Sequence, residues 1–172
     1  MSTDTKHTQQ SAYNDFHLQY IAGTWQKGQD DSVNTDTNPF NGETLVEIQQ
    51  ATDKQLDEAF QAATKAQAEW AKQTPAQRAA VLYKVVNIFD ERQEEIVEWL
   101  IKESGSTRIK AMVEFGSARA ITLEAATFPN RVHGEIRPSN TPGKENFIYR
   151  EPMGVIAVIS PWNFPLHLTQ RS

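Results

Sequence analysis

Asn163 stands in Ser160-Pro161-Trp162-Asn163-Phe164-Pro165, between two aromatic rings and two residues from a proline on either side. The prolines fix their own φ angles, and the rings supply bulk that locks a turn against its surroundings. A side-chain amide held still in this way is a donor for an oxygen that gains negative charge in a transition state. Removing one such donor typically costs about 3–4 kcal/mol. The same six residues also describe a structural turn, with the asparagine bonded to its own backbone and the rings buried. Locally, both readings stand.

Little else in the chain offers chemistry. Its 172 residues include no cysteine, so it carries no thiol nucleophile, disulfide or thiolate metal site. His133 and His167 lack ligand spacing to each other or to nearby carboxylates, and no metal site is assigned. The adjacent acids Asp57-Glu58 and Glu94-Glu95 read as solvated helix faces. A net charge of -5, with 17 scattered Lys and Arg, gives no field for nucleic acid. The longest apolar run, Val155 to Ile159, falls far short of the roughly 20 residues of a membrane span. The opening MSTDTKHTQQSAYND has neither a signal peptide's apolar core nor a transit peptide's composition, so residues 1–17 read as a loose leader on a cytoplasmic protein.

The elements that must hold Asn163 follow from patterning. LQYIAGTWQKG predicts two short strands turning at Gly23, and NPFNGETLVEIQ a turn and a third strand. Thr52 and Gln55 form a capping box ahead of Leu56, Phe60, Ala63, Ala66 and Trp70, predicting a helix to about Gln73. Thr74-Pro75 starts another, with its stripe at Leu82, Val85, Phe89, Ile96 and Leu100 and its end near Gly105, on the order of 40 Å long. A third runs from about Thr107 to Phe128-Pro129, with Ile109, Met112, Val113, Gly116, Ala120, Leu123 and Thr127 on one side. Gly116 and Ala120 there are small enough for close helix packing.

Residues 133–151 predict a β-hairpin with one polar face, turning at Pro142-Gly143 with type II geometry. GVIAVIS, apolar at consecutive positions, predicts a strand buried on both faces of a parallel sheet, and Pro165 begins a following helix. Asn163 would then lie beyond the strand's carboxyl end, where open α/β sheets bind ligands. Phe164, Leu168 and Arg171 would share one helix face.

EPMGVIAVISPWNFPL resembles the segment with which the NAD(P)-dependent aldehyde dehydrogenase superfamily enters its cofactor-binding domain. YIAGTWQKG, NPFNGE, Trp70 followed by Arg78 and Leu82, KESG, and the hairpin before EPMG resemble that family in order and spacing, over about residues 18 to 172. PFNGETLVEIQ and ISPWNFPLHLTQRS look most like benzaldehyde or vanillin dehydrogenases.

The resemblance implies an α/β fold: the N-terminal part of the aldehyde dehydrogenase fold, truncated. Residues 18–132 would supply the strands and helices of the cofactor-binding domain, 133–151 an oligomerisation hairpin, and 152–172 the first strand and helix start of the dinucleotide-binding core. In the family, the asparagine matching Asn163 donates to the oxyanion formed when a cysteine attacks an aldehyde, before hydride leaves for the nicotinamide. Positions matching Ile159, Ser160, Pro161, Trp162 and Asn163 line the cleft for NAD or NADP.

Phe164, Leu168 and Arg171 would border the substrate tunnel. Ordinary packing also accounts for the first two, a solvated surface for Arg171, and an arginine there departs from the aromatic often found. The hairpin would join identical subunits, although an ordinary surface hairpin has the same pattern. The family's cysteine, its water-activating glutamate and its dinucleotide-holding lysine and glycine turn lie downstream of the match. The expectation is therefore an enzyme segment inactive alone, its GVIAVIS strand uncovered and prone to aggregate. The alternative is a non-catalytic interaction module or remnant.

Overall fold

The computed structural model describes residues 15–172. Residues 1–14, most of the expected leader, lie outside the described residues. At its end Phe16 is packed, its ring centroid 4.2 Å from that of Trp99.

Gln19–Ile21 (β1) and Thr24–Gln26 (β2) form the expected antiparallel hairpin, with Tyr20 opposite Trp25. The next expected strand, Thr44–Gln49 (β4), has a partner that patterning did not announce: Val33–Thr37 (β3), antiparallel to it. VNTDT has one apolar residue and includes Asn and Asp, which strands disfavour. Its pairing with TLVEIQ makes it a strand.

Asp53–Lys72 (α1) and Pro75–Glu91 (α2) begin at the two capping boxes, Thr52 with Gln55 and Thr74 with Gln77. The long helix expected from Pro75 to Gly105 is in fact two, because Arg92 leaves helical geometry at φ -110°, ψ 17° before Gln93–Ser104 (α3). Neither glycine nor proline marks the break. The Arg92 N–H is instead shared between the carbonyls of Ile88 and Phe89, and its guanidinium donates to Glu95 at 2.6 and 2.8 Å. The apolar stripe continues across, since Phe89 and Ile96 lie seven residues apart, about two turns. Gly105 closes α3 in the left-handed conformation, φ 64°.

Arg108–Ala125 (α4) is the centre of the assembly, packing on α2, α3 and α5, and is followed by a 3-10 turn at Phe128–Arg131. The face it buries is not the expected one. Ala111, Glu114, Phe115, Ala118 and Thr122 are buried, whereas Ile109, Met112, Val113 and Leu123 are exposed. Gly116 and Ala120 mediate no packing: both are exposed, and no heavy atom lies within 4 Å of a Cβ built on Gly116. On its buried side Ala111 and Phe115 form the core with Val97 and Leu100 of α3, and Phe89 of α2 and Leu166 pack against it. The stripe of α1 is likewise uncovered, with Leu56, Phe60 and Trp70 all exposed.

Glu135–Pro138 (β5) and Glu145–Ile148 (β6) make the expected hairpin, with Ile136 opposite Phe147. Gly143 has the positive φ, 77°, that a type II turn needs at its third residue. Residues 150–161, GVIAVIS included, form no strand and are almost wholly exposed. A strand requires a neighbour to complete its hydrogen bonds, and among the described residues this segment has none. Pro165–Arg171 (α5) begins at the expected proline. Among the described residues no helix is long and apolar enough to cross a membrane.

Candidate functional site

The six residues around Asn163 form a turn fastened at both ends. At one end the Ser160 hydroxyl donates to the Pro165 carbonyl at 2.9 Å, closing the turn across Asn163. At the other, α5 is docked on α4. Leu166 enters the core, the Gln170 amide donates to Thr122 Oγ1 at 3.0 Å, and Thr122 donates to the Ala118 carbonyl at 2.8 Å.

The start of α5 has no local cap: Phe164 supplies no side-chain acceptor, and Pro165 has no N–H. Its first free amides are satisfied from α4. Glu114 Oε1 accepts from Leu166 N–H at 2.8 Å and from His167 N–H at 3.4 Å, while Oε2 is 3.4 Å from Lys110 Nζ. Glu114 is fully buried. Lys110 donates to Ser106 Oγ at 2.8 Å and sits 4.6 Å from the Phe164 ring centroid, so one ammonium touches both the carboxylate and the residue next to Asn163.

Asn163 itself is exposed, and among the described residues its side chain makes no hydrogen bond. The alternative of an amide bonded to its own backbone is therefore not what the structure adopts. Trp162 and Ile159 are also exposed, at 82% and 95%, as is Pro161, whereas Ser160 is half-buried. Phe164 is half-buried and meets His167 edge-on at 6.4 Å. Leu168 is half-buried and Arg171 exposed. Leu166 and Gln170 face α4, and helical spacing turns Leu168 and Arg171 away from it, whereas Phe164, which precedes α5 as its N-cap, lies against Lys110 of α4.

The sequence reading gave no role to Glu114, Lys110, Thr122 or Gln170. A signal for Glu114 existed: it is a lone acid in an apolar stretch, on the same helix face as Ala111, Phe115 and Ala118.

These residues fit one part of a dinucleotide. The strip Ile159 to Trp162 has its backbone in no ladder and exposes Ile159 and Trp162, the apolar side chains that a nicotinamide ring would meet. It offers no phosphate cradle, because the amides at the start of α5, the usual anion-binding feature, already serve the Glu114 carboxylate.

Comparison with known proteins gives one consistent result. Residues 25–172 match the aldehyde dehydrogenase family. The chain is similar to a vanillin dehydrogenase of Corynebacterium glutamicum, 54% identical over 152 residues, which cover 88% of this chain and 31% of that protein. It is 41% identical over 160 residues to a benzaldehyde dehydrogenase of Bacillus subtilis, covering 93% of this chain and 33% of the relative. The crystal structure of an NAD-dependent benzaldehyde dehydrogenase from Corynebacterium glutamicum superposes with a TM-score of 0.89 at 51% identity, over 94% of this chain and 35% of that one. The chain thus spans about a third of the length of the relatives it matches, corresponding to the N-terminal part of their fold. By sequence and by fold, it belongs to the aldehyde dehydrogenase family.

Proposed function

We propose that this chain is the N-terminal, oxyanion-side portion of an NAD(P)-dependent aldehyde dehydrogenase acting on aromatic aldehydes. The observation that carries the reading is the Asn163 amide: exposed, without a hydrogen-bond partner among the described residues, and set in a turn fastened by Ser160 and by the docking of α5.

An aldehyde carbonyl oxygen placed against this turn gains negative charge as a nucleophile adds to its carbon. Asn163 Nδ2–H donates to that oxygen, and because the turn is already fixed, the donor need not reorganise as the charge develops. Phe164 and Leu168 present an apolar face to an aromatic ring, and Arg171 stands at its outer end. The nucleophile, a cysteine in this family, comes from outside the segment, which has none. Ile159, Ser160, Pro161 and Trp162 would hold the nicotinamide side of NAD or NADP, which when bound supplies the hydride acceptor. The 172-residue chain alone is inactive in this reading, and the acid product belongs to the whole enzyme.

A chimera tests it: residues 18–172 replacing the matching third of the Corynebacterium glutamicum vanillin dehydrogenase. It should reduce NAD in the presence of vanillin or benzaldehyde, and Asn163→Ala should lower its kcat by about 10²–10³. A chimera that folds like its parent yet is inactive, or that is indifferent to Asn163→Ala, refutes the proposal. Aldehyde-dependent NAD reduction by the 172-residue chain itself would refute the inactivity.

A second reading rests on the β5–β6 hairpin, which pairs only with itself among the described residues and exposes Ile136, Phe147 and Ile148. Such edges pair between chains, so the segment would serve as an oligomerisation or interaction module. Co-elution with the intact relative, abolished by Ile136→Lys, would favour that role.

A further inference from the structure

We infer that Glu114 is a positioning residue for the Asn163 turn, a role that rests on the aldehyde dehydrogenase reading. Its carboxylate reaches across 52 residues of sequence to accept from the Leu166 N–H at 2.8 Å, and from His167 N–H at 3.4 Å. No nearer group does this work, since the residue preceding α5 makes no side-chain cap. A helix of seven residues is too short to hold its own first turn in place, so its position is set by what it is bonded to.

Asn163 is separated from the Glu114-bonded Leu166 by only Phe164 and Pro165. Pro165 is fixed in φ and held through its carbonyl by Ser160, and Phe164 lies against Lys110, the same ammonium that faces Glu114 Oε2. The backbone on the carboxyl side of Asn163 is thereby tied to a fully buried group on the central helix. Release of the carboxylate frees the start of α5 and lets the amide donor wander, while α2, α3 and α4 keep their own core.

The consequence differs from that of a general stabiliser. Asn163 acts on charge present only in the transition state, so a misplaced donor lowers kcat and leaves aldehyde KM nearly unchanged. In the chimera described above, Glu114→Ala should lower kcat per folded active site by about 10- to 100-fold, the effect of a misplacement on the order of 1 Å. KM should move by less than about twofold. Glu114→Gln keeps an acceptor oxygen for the Leu166 N–H and should recover kcat to within about fivefold.

In the 172-residue chain, hydrogen exchange should show the Leu166 and His167 amides losing protection in Glu114→Ala while those of α4 retain it. Retained protection at Leu166, unchanged kcat in the alanine variant, or parallel losses in kcat, KM and folded fraction would each overturn the role. An inactive wild-type chimera removes the reading beneath it and overturns it as well. The exchange result then separates that failure from a failure of the anchor itself.

Discussion

Gln55 and Gln77 occupy the same position in two capping boxes, and the structure predicts that they differ several-fold in what they contribute. Gln77 is exposed, and its side chain serves only Thr74. Gln55 is 1% exposed and reaches beyond its own helix: Oε1 accepts from Gln29 N–H at 2.8 Å and from Thr52 N–H at 3.3 Å, while Nε2 donates to the Lys27 carbonyl at 3.0 Å. Gln55→Ala therefore breaks the cap and also strands a backbone donor and an acceptor of the 27–29 segment. Two such partly buried bonds plus the cap sum to about 2–4 kcal/mol, against about 0.5 kcal/mol for Gln77→Ala. For a chain of this size the first corresponds to a fall in Tm of about 4–16 °C and the second to a degree or two. Thermal unfolding followed by circular dichroism, on both variants in one buffer, makes the comparison. Equal shifts would refute the claim that Gln55 joins the 27–29 segment to α1.

Gly28 lies inside the segment that Gln55 holds, and a Cβ there would stand 2.1 Å from the carbonyl oxygens of both Gln49 and Gln50; Gly28→Ala should cost at least about 2 kcal/mol in a denaturant melt. Arg119 donates to Asp90 at 2.5 and 2.7 Å and holds its carboxyl below the usual range, chiefly through that hydrogen bond. The stability this pair supplies is present above the unfolded-state pKa and lost as pH falls through the lowered folded value. Arg119→Met should accordingly raise the Asp90 titration midpoint in a carbon-detected NMR titration and move acid unfolding to higher pH; an unmoved midpoint contradicts the pairing. Met153, Ile156, Ile159 and Trp162 are exposed on unpaired backbone, so the 172-residue chain should elute as oligomers or aggregates in size-exclusion chromatography, and Ile159→Lys should reduce them. A wild-type chain that elutes as a monomer would contradict this.

What was legible in the sequence had a local cause. The Thr52 capping box, the Thr74-Pro75 helix start, the glycine that ends α3, the Pro142-Gly143 turn and the proline that opens α5 depend on residues within four positions of one another, and all lie where expected. What escaped depended on distant partners. β3 is a strand because β4 lies beside it, and Arg92 interrupts a helix without any breaker residue. The Asn163 turn could be read as a motif, but its anchor could not, because the Glu114 contact with Leu166 closes over 52 residues and the local ion pair of Glu114 with Lys110 says nothing of α5.

The sidedness of α4 carries a different lesson. Its apolar stripe, Ile109, Met112, Val113 and Leu123, is exposed, while its buried face includes Glu114 and Thr122. Hydrophobic periodicity reports that a face is buried somewhere, not against what. Here the polar face is the informative one, because a buried carboxylate and hydroxyl are tolerable only where specific donors meet them. Leu166, His167 and Gln170 are those donors. The two polar groups therefore commit α4 to holding α5, and no apolar pair at positions 114 and 122 could replace them without leaving the start of that helix unsatisfied.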